Sequence, residues 1–143
     1  MTTETREAPT LPEAHPVKGG VAPYLTVDGA ARASEFYQRA FGAEEVTRMG
    51  SPDGKFMHIH RYINGGSVML TDPYPEHGHP WVKPQGFSLT LEVDDADRWA
   101  ARAAAAGAEV VTPVADMFWG ARWGWGEVRD PFGVSWAFNT PKR

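Results

Sequence analysis

The sequence predicts an α+β fold in which two βαβββ repeats pair to form a curved mixed sheet around a cup. Three observations carry this. The stretch VDGAARASEFYQRAFGAEEV, starting at Val27, is echoed by VDDADRWAARAAAAGAEVV, starting at Val93. Each copy follows a run of alternating apolar residues and precedes three more extended segments. The chain has 143 residues, 42% of them hydrophobic, enough for the core of one domain. A lone βαβββ unit leaves one sheet face open and one edge unpaired, so a second copy completes it.

The elements follow in chain order. Residues 1–20, rich in Thr, Glu and Pro, are expected to form a flexible tail, without the basic start and apolar run of a signal peptide or anchor. A single domain is expected over 21–143, with repeats near 21–72 and 86–140. VAPYLTVD reads as the first strand. Asp28 is placed to cap a helix whose Ala33, Phe36, Tyr37, Ala40 and Phe41 fall at i, i+3, i+4, i+7 and i+8, and Gly42 ends it. EEVTRM, FMHIHRYI and SVMLTD are then strands, divided by Ser51-Pro52-Asp53-Gly54 and Asn64-Gly65-Gly66.

The loop PYPEHGHPWVKPQ leads to the second repeat, which opens with the strand FSLTLEVDD. Asp94 or Asp95 caps the next helix, where Ala96, Trp99, Ala100, Ala103 and Ala104 repeat the same spacing and Gly107 stops it. EVVTPV, RWGWGEV and VSWAF complete the unit, parted by Gly120 and by Asp130-Pro131-Phe132-Gly133. Asp130 reads as a turn residue with no chemistry of its own.

Composition narrows the function classes. A formal charge of -4, a pI near 5.7 and no dense Lys/Arg stripe leave no footprint for nucleic acid or an acidic membrane surface. With no cysteine, thiolate nucleophiles, disulfides and Cys-ligated metals are excluded. No Gly-rich loop follows a strand as a nucleoside cofactor requires, so no cofactor and no methyl transfer are expected. The expected location is cytoplasmic.

With EFYQRAFGAEEV in the first half and DPFG before the last strand, the duplicated unit resembles the vicinal oxygen chelate superfamily, the glyoxalase/bleomycin resistance/dihydroxybiphenyl dioxygenase fold. Glyoxalase I, extradiol dioxygenases, fosfomycin-resistance enzymes and bleomycin-binding proteins belong there. The finer likeness is to the PhnB-like subgroup, through APYLTVDG, PDGKFMHIH, SLTLEVDDADRW and DMFWGARWG leading into RDPFGVSWAF. The resemblance implies a homodimer, because relatives of this fold complete their cups with a second chain.

It also implies a divalent metal held by a His or Gln, a Glu, a His and a Glu, two from each repeat. Those positions fall here on Ala22, Met69, Ser88 and Ala137, and the neighbours on either side are no better suited. None can hold a hard cation, so no metal is expected at the family's site.

Period-two alternation places Leu25, Val27, Val68, Leu70, Phe87, Leu89, Leu91, Trp136 and Phe138 under the helices. The cup face then carries Tyr24, Thr26, Ser67, Met69, Thr71, Ser88, Thr90, Ala137 and Asn139. On FMHIHRYI, Met57, Ile59 and Ile63 share one face, so His58, His60 and Tyr62 point into the cup, while Arg61 breaks the pattern. His58 and His60 are open to three roles: chelating zinc or iron with Asp72 or Glu92, touching a ligand, or serving as hydrogen-bonded strand histidines. The loop DPYPEHGHP, with Asp72, Glu76, His77 and His79, is expected to be a solvated Pro-rich turn. In DMFWGARWGWG, an aromatic stripe beside Arg122 is suited to stacking a planar ligand, and the resemblance assigns Trp119, Arg122 and Trp123 to the pocket.

The expected ligand contacts are therefore Tyr24, His58, His60, Tyr62, Met69, Ser88, Trp119, Arg122, Trp123 and Asn139. The first functional expectation is a binder of a small aromatic molecule in a metal-free cavity, with no catalytic residue assigned. The alternative is an enzyme of the same superfamily: a lyase or dioxygenase with relocated metal ligands, or a metal-free isomerase using His58 or His60 as general base. A third is an interaction module whose tryptophans form a protein interface.

Overall fold

The computed structural model describes residues 15–118 and 123–141. The βαβββ order appears twice. The first copy is β1 (Tyr24–Thr26), α1 (Ala30–Phe41), β2 (Glu44–Gly50), β3 (Phe56–Ile63) and β4 (Gly66–Thr71). The second is β5 (Leu89–Glu92), α2 (Ala96–Ala106), β6 (Glu109–Met117), β7 (Trp123–Arg129) and β8 (Ser135–Thr140). A 3-10 turn, Pro75–His77, lies in the loop between them. The strands form two four-stranded sheets, β1-β4-β3-β2 and β5-β8-β7-β6, in each of which the first strand runs parallel to the last and the other pairings are antiparallel. Neither described helix is long and apolar enough to cross a membrane.

The helices join the halves. Both end at glycines, as expected, and α1 buries Phe36, Tyr37, Ala40 and Phe41. Across the repeat boundary the Phe41 ring lies 4.7 Å from Trp136 and 6.0 Å from Phe138, while Tyr37 meets Trp136 at 5.2 Å. Leu25, Val27, Val68, Leu70, Leu91, Trp136 and Phe138 are buried with them, as strand alternation predicts. Phe87 is not: it precedes β5 and stands 48% exposed, because the ladder begins two residues later at Leu89.

The cap of α1 also differs from expectation. Gly29, at φ 106°, occupies the N-cap and Asp28 is exposed. Asp72, the residue after β4, caps the helix from across the fold: Oδ1 accepts from the amides of Ala30 (2.9 Å) and Gly29 (3.2 Å), and Oδ2 from Phe56 (2.8 Å). In the second repeat Asp95 does cap its own helix, accepting from the Arg98 amide at 3.1 Å. Thr140, the last residue of β8, adds the counterpart of Asp72 by accepting from the Ala96 amide at 2.8 Å.

Arg61 breaks its strand's pattern for a physical reason. Its side chain goes under α1, where the guanidinium donates to the Ser34 hydroxyl, to the Ala43 carbonyl at 2.6 Å and to Glu45 at 3.3 Å. A buried cation survives there because its donors are satisfied. Ahead of β1, the Lys18 amide donates to Ser67 Oγ at 2.7 Å and the Ser67 amide returns to the Lys18 carbonyl at 3.0 Å, which docks this part of the expected tail on the first sheet.

Candidate functional site

The face of the first sheet turned away from α1 is built by alternation on three strands. Register sets Tyr24 beside Met69 and Met69 beside His60, so these three cross the sheet in one row. The Tyr24 hydroxyl is 2.8 Å from His58 Nδ1 and donates to the Met57 carbonyl at 3.2 Å in the alternative arrangement. His60 Nε2 lies 2.7 Å from Ser67 Oγ, with the Tyr62 ring edge-on at 5.1 Å. Tyr62 in turn donates to the Pro16 carbonyl at 2.9 Å and carries the Lys18 ammonium over its ring.

Burial sets the electrostatics of this row. Desolvation holds His58 below the usual imidazole range; it does the same to His60, with the neighbouring His58 and His15 adding repulsion. Burial raises the Tyr24 phenol above its ordinary value. Both histidines therefore favour the neutral form at neutral pH, and His60 is only 3% exposed.

A cavity of about 900 Å³ opens at one end of this face. Its floor is Tyr24, Thr26, Met57 and Thr71. One wall is the β2–β3 hairpin tip, Ser51 to Asp53, and the other is Tyr74, Glu76, His77 and His79 from the joining loop. That loop is the solvent-exposed Pro-rich turn the sequence leads one to expect, with Pro75 to Pro80 all exposed, and it holds a defined shape. Tyr74 and His79 exchange backbone hydrogen bonds at 2.7 and 3.0 Å, with Gly78 at φ 81° closing the turn. Ser51 Oγ meets the Tyr74 hydroxyl at 2.7 Å and Lys55 Nζ donates to the Pro73 carbonyl at 3.2 Å, so the two walls are tied together.

Among the expected ligand contacts, Tyr24 lines the cavity and His58 stands one hydrogen bond behind it. His60, Tyr62 and Met69 share the face but not the lining. Ser88 is exposed ahead of β5, and Asn139 is buried on β8 opposite Trp125, 3.4 Å from Glu92, so neither reaches the cavity of its own chain. Trp119 and Arg122 lie outside the described residues, as does the side chain of Trp123.

Met57, expected under the helix, instead lines the cavity at 43% exposure, because the β2–β3 register shifts between Met49 and Gly50 and turns this end of β3 over. The wall residues Ser51, Asp53, Tyr74, Glu76, His77 and His79 were missing from the expected contacts. Their signal was an aromatic and two histidines packed into one short Pro-rich loop.

The family's metal positions do not fit a metal. Ala22, Met69, Ser88 and Ala137 offer two methyls, a thioether and a hydroxyl, and Ala137 is 1% exposed. Relocation finds no support in the carboxylates named for it: Asp72 spends both oxygens on backbone amides and Glu92 is on the other sheet. Among the described residues no three His, Asp or Glu side chains are grouped to hold an ion.

Residues 15–138 match the model of the Glyoxalase/Bleomycin resistance protein/Dioxygenase superfamily. The chain is 42% identical to the uncharacterized protein Rv0887c of Mycobacterium tuberculosis over 133 residues, 89% of this chain and 77% of that protein. It is similar to the crystal structure of PA1353 from Pseudomonas aeruginosa, with 28% identity and a TM-score of 0.70 over 86% of this chain and 98% of the other. A PhnB protein from Bacillus cereus shares the fold at 20% identity and a TM-score of 0.61, over 85% and 99% of the two chains.

Proposed function

Because the chain belongs to the Glyoxalase/Bleomycin resistance protein/Dioxygenase superfamily, in which fold alone does not choose a reaction, we propose that it is a PhnB-like cytoplasmic homodimer that binds a small aromatic molecule without a metal. The observation that carries this reading is the cavity of about 900 Å³ with Tyr24 in its floor and Tyr74 in its wall, braced by the Ser51–Tyr74 hydrogen bond. The misfit of the four family positions to a cation supports the metal-free part.

The dimer accounts for the candidates that one chain leaves apart. In the proposed assembly the second sheet of a partner closes over the first sheet's cavity, bringing Ser88 and Asn139 to the ligand from the other chain. Exposed apolar side chains on and beside the second sheet support such a contact: Phe118 at 94%, with Val110 and Val111 on β6 and Phe87 before β5.

A second reading, a metal-free isomerase, is favoured by the Tyr24–His58 pair. A desolvated imidazole behind a phenol that faces a cavity can take up a proton passed through that phenol. His60 suits this role less, since Ser67 occupies its Nε2.

A native mass spectrum of the purified protein tests the main reading. The expected result is a dimer free of metal; a monomer, or stoichiometric metal, overturns it. Once a ligand is in hand, His58→Ala separates the two readings: affinity kept with turnover lost makes the protein an enzyme, and no turnover in either form makes it a binder.

A further inference from the structure

We infer that the cavity selects organic cations, a protonated amine or quaternary ammonium carried on an aromatic or apolar body. This rests on the binding reading above and adds to it the sign of the ligand's charge. Among the described residues lining the cavity there are two carboxylates, Asp53 and Glu76, one in each wall, beside the imidazoles of His77 and His79, and no lysine or arginine joins them.

Asp53 is held as an anion. It accepts from the Ser51 hydroxyl and from the Lys55 amide at 3.1 Å, and the Ser51 hydrogen bond leads in drawing its carboxyl below the usual range. Lys55, the nearest cation in sequence, adds a smaller pull on Asp53 but lines the adjacent recess beside the start of α1, its Nζ on the Pro73 carbonyl.

The aromatic lining bears on the same sign. The half-exposed ring of Tyr24 attracts cations through its quadrupole, while Tyr74 already carries the Lys55 Nζ at 4.9 Å from its centroid. Thr26, Thr71 and Ser51 supply neutral hydrogen-bonding groups that accept from an ammonium. An anion entering the same space meets two carboxylates with no lysine or arginine in the described lining, which is a specificity device as much as an attraction. The net charge of -4 steers in the same direction at longer range.

The test is isothermal titration calorimetry of the full-length protein with three probes of one shape and different charge: tryptamine, tryptophol and indoleacetate. The buffer is held near pH 8, where imidazole side chains are ordinarily neutral. Tryptamine is expected to bind about tenfold more tightly than indoleacetate, with tryptophol between them. The double variant Asp53→Asn, Glu76→Gln, at exposed positions, is expected to bring tryptamine to the level of tryptophol and leave tryptophol within about twofold of the parent. Equal binding of the three probes, or an unchanged tryptamine preference in the variant, overturns the charge inference and leaves the aromatic cavity standing. Indoleacetate binding most tightly also overturns it, and gives the site a net cationic character. Binding of none of the three overturns the cavity reading and the inference together.

Discussion

Asp130, which sequence alone makes a turn residue, is 4% exposed and ties the two repeats together. Its Oδ1 accepts from the amides of Phe132 (2.8 Å) and Val134 (3.0 Å), which shapes the turn into β8. Its Oδ2 accepts from Trp136 Nε1 at 2.9 Å and from the Tyr37 hydroxyl, on α1 of the other repeat, at 2.5 Å. Burial nevertheless outweighs these donors and raises the Asp130 carboxyl above its ordinary value, and burial with the Asp130 charge raises Tyr37 well above its own. A group whose pKa is higher folded than unfolded contributes stability that is fully present below the unfolded value and lost as pH rises through the folded one. Asp130→Asn, which turns an amide donor toward this ring of donors, is expected to cost about 2–3 kcal/mol at neutral pH. The parent's margin over the variant is expected to widen as pH falls from 7 toward about 4, read from paired urea midpoints. A margin that narrows on acidification would show that the donors, not burial, dominate this carboxyl.

At the scale of elements, each helix starts beneath a side chain at or just past the end of the last strand of its own repeat, Asp72 for α1 and Thr140 for α2. This fixes helix to sheet at the point where the chain turns from one into the other. For α1 it also frees the N-cap to be Gly29, whose φ of 106° a β-carbon would resist. Asp72→Ala is expected to cost about 2–3 kcal/mol, since it orphans three backbone donors, whereas Asp28→Ala should fall within about 0.5 kcal/mol of the parent. Thermal unfolding of the two variants compares them directly; equal losses would return the capping role to Asp28. The wall of the cavity is an element of the same kind. The joining loop holds its shape through the Tyr74–His79 bridge and is fastened to the β2–β3 hairpin through Ser51.

For the whole molecule, the consequence is one core rather than two. Phe41 of the first repeat packs on Trp136 and Phe138 of the second, and α1 and α2 lie together above both sheets. Five of the six tryptophans lie in the second repeat, so tryptophan fluorescence reports chiefly on that half. Phe41→Ala, a first-repeat change, is expected to lower stability by about 3–4 kcal/mol and to shift the fluorescence and circular dichroism transitions together. Fluorescence left in place while circular dichroism shifts would mean that the repeats unfold separately.

The sequence by itself determined the two βαβββ repeats, the buried face of each helix, the helix-side residues of the strands and the family. Those features are written in short-range periodicity and in turn residues such as Gly42 and Gly107, which act on their immediate neighbours. The alternation that put His58, His60 and Tyr62 on one face held for the same reason. Only the tertiary structure decided where the cavity lies. Met57 joins it through a register shift, Tyr74 through a hydrogen bond to a residue 23 positions away, and Asp72 is withdrawn from any ligand role by amides up to 43 positions away. Arg61, a break in the strand pattern, became intelligible once Ser34, Ala43 and Glu45 were seen around its guanidinium. Local pattern sets which face a residue takes; which residues meet across space depends on how the elements pack, and no spacing along the chain encodes that.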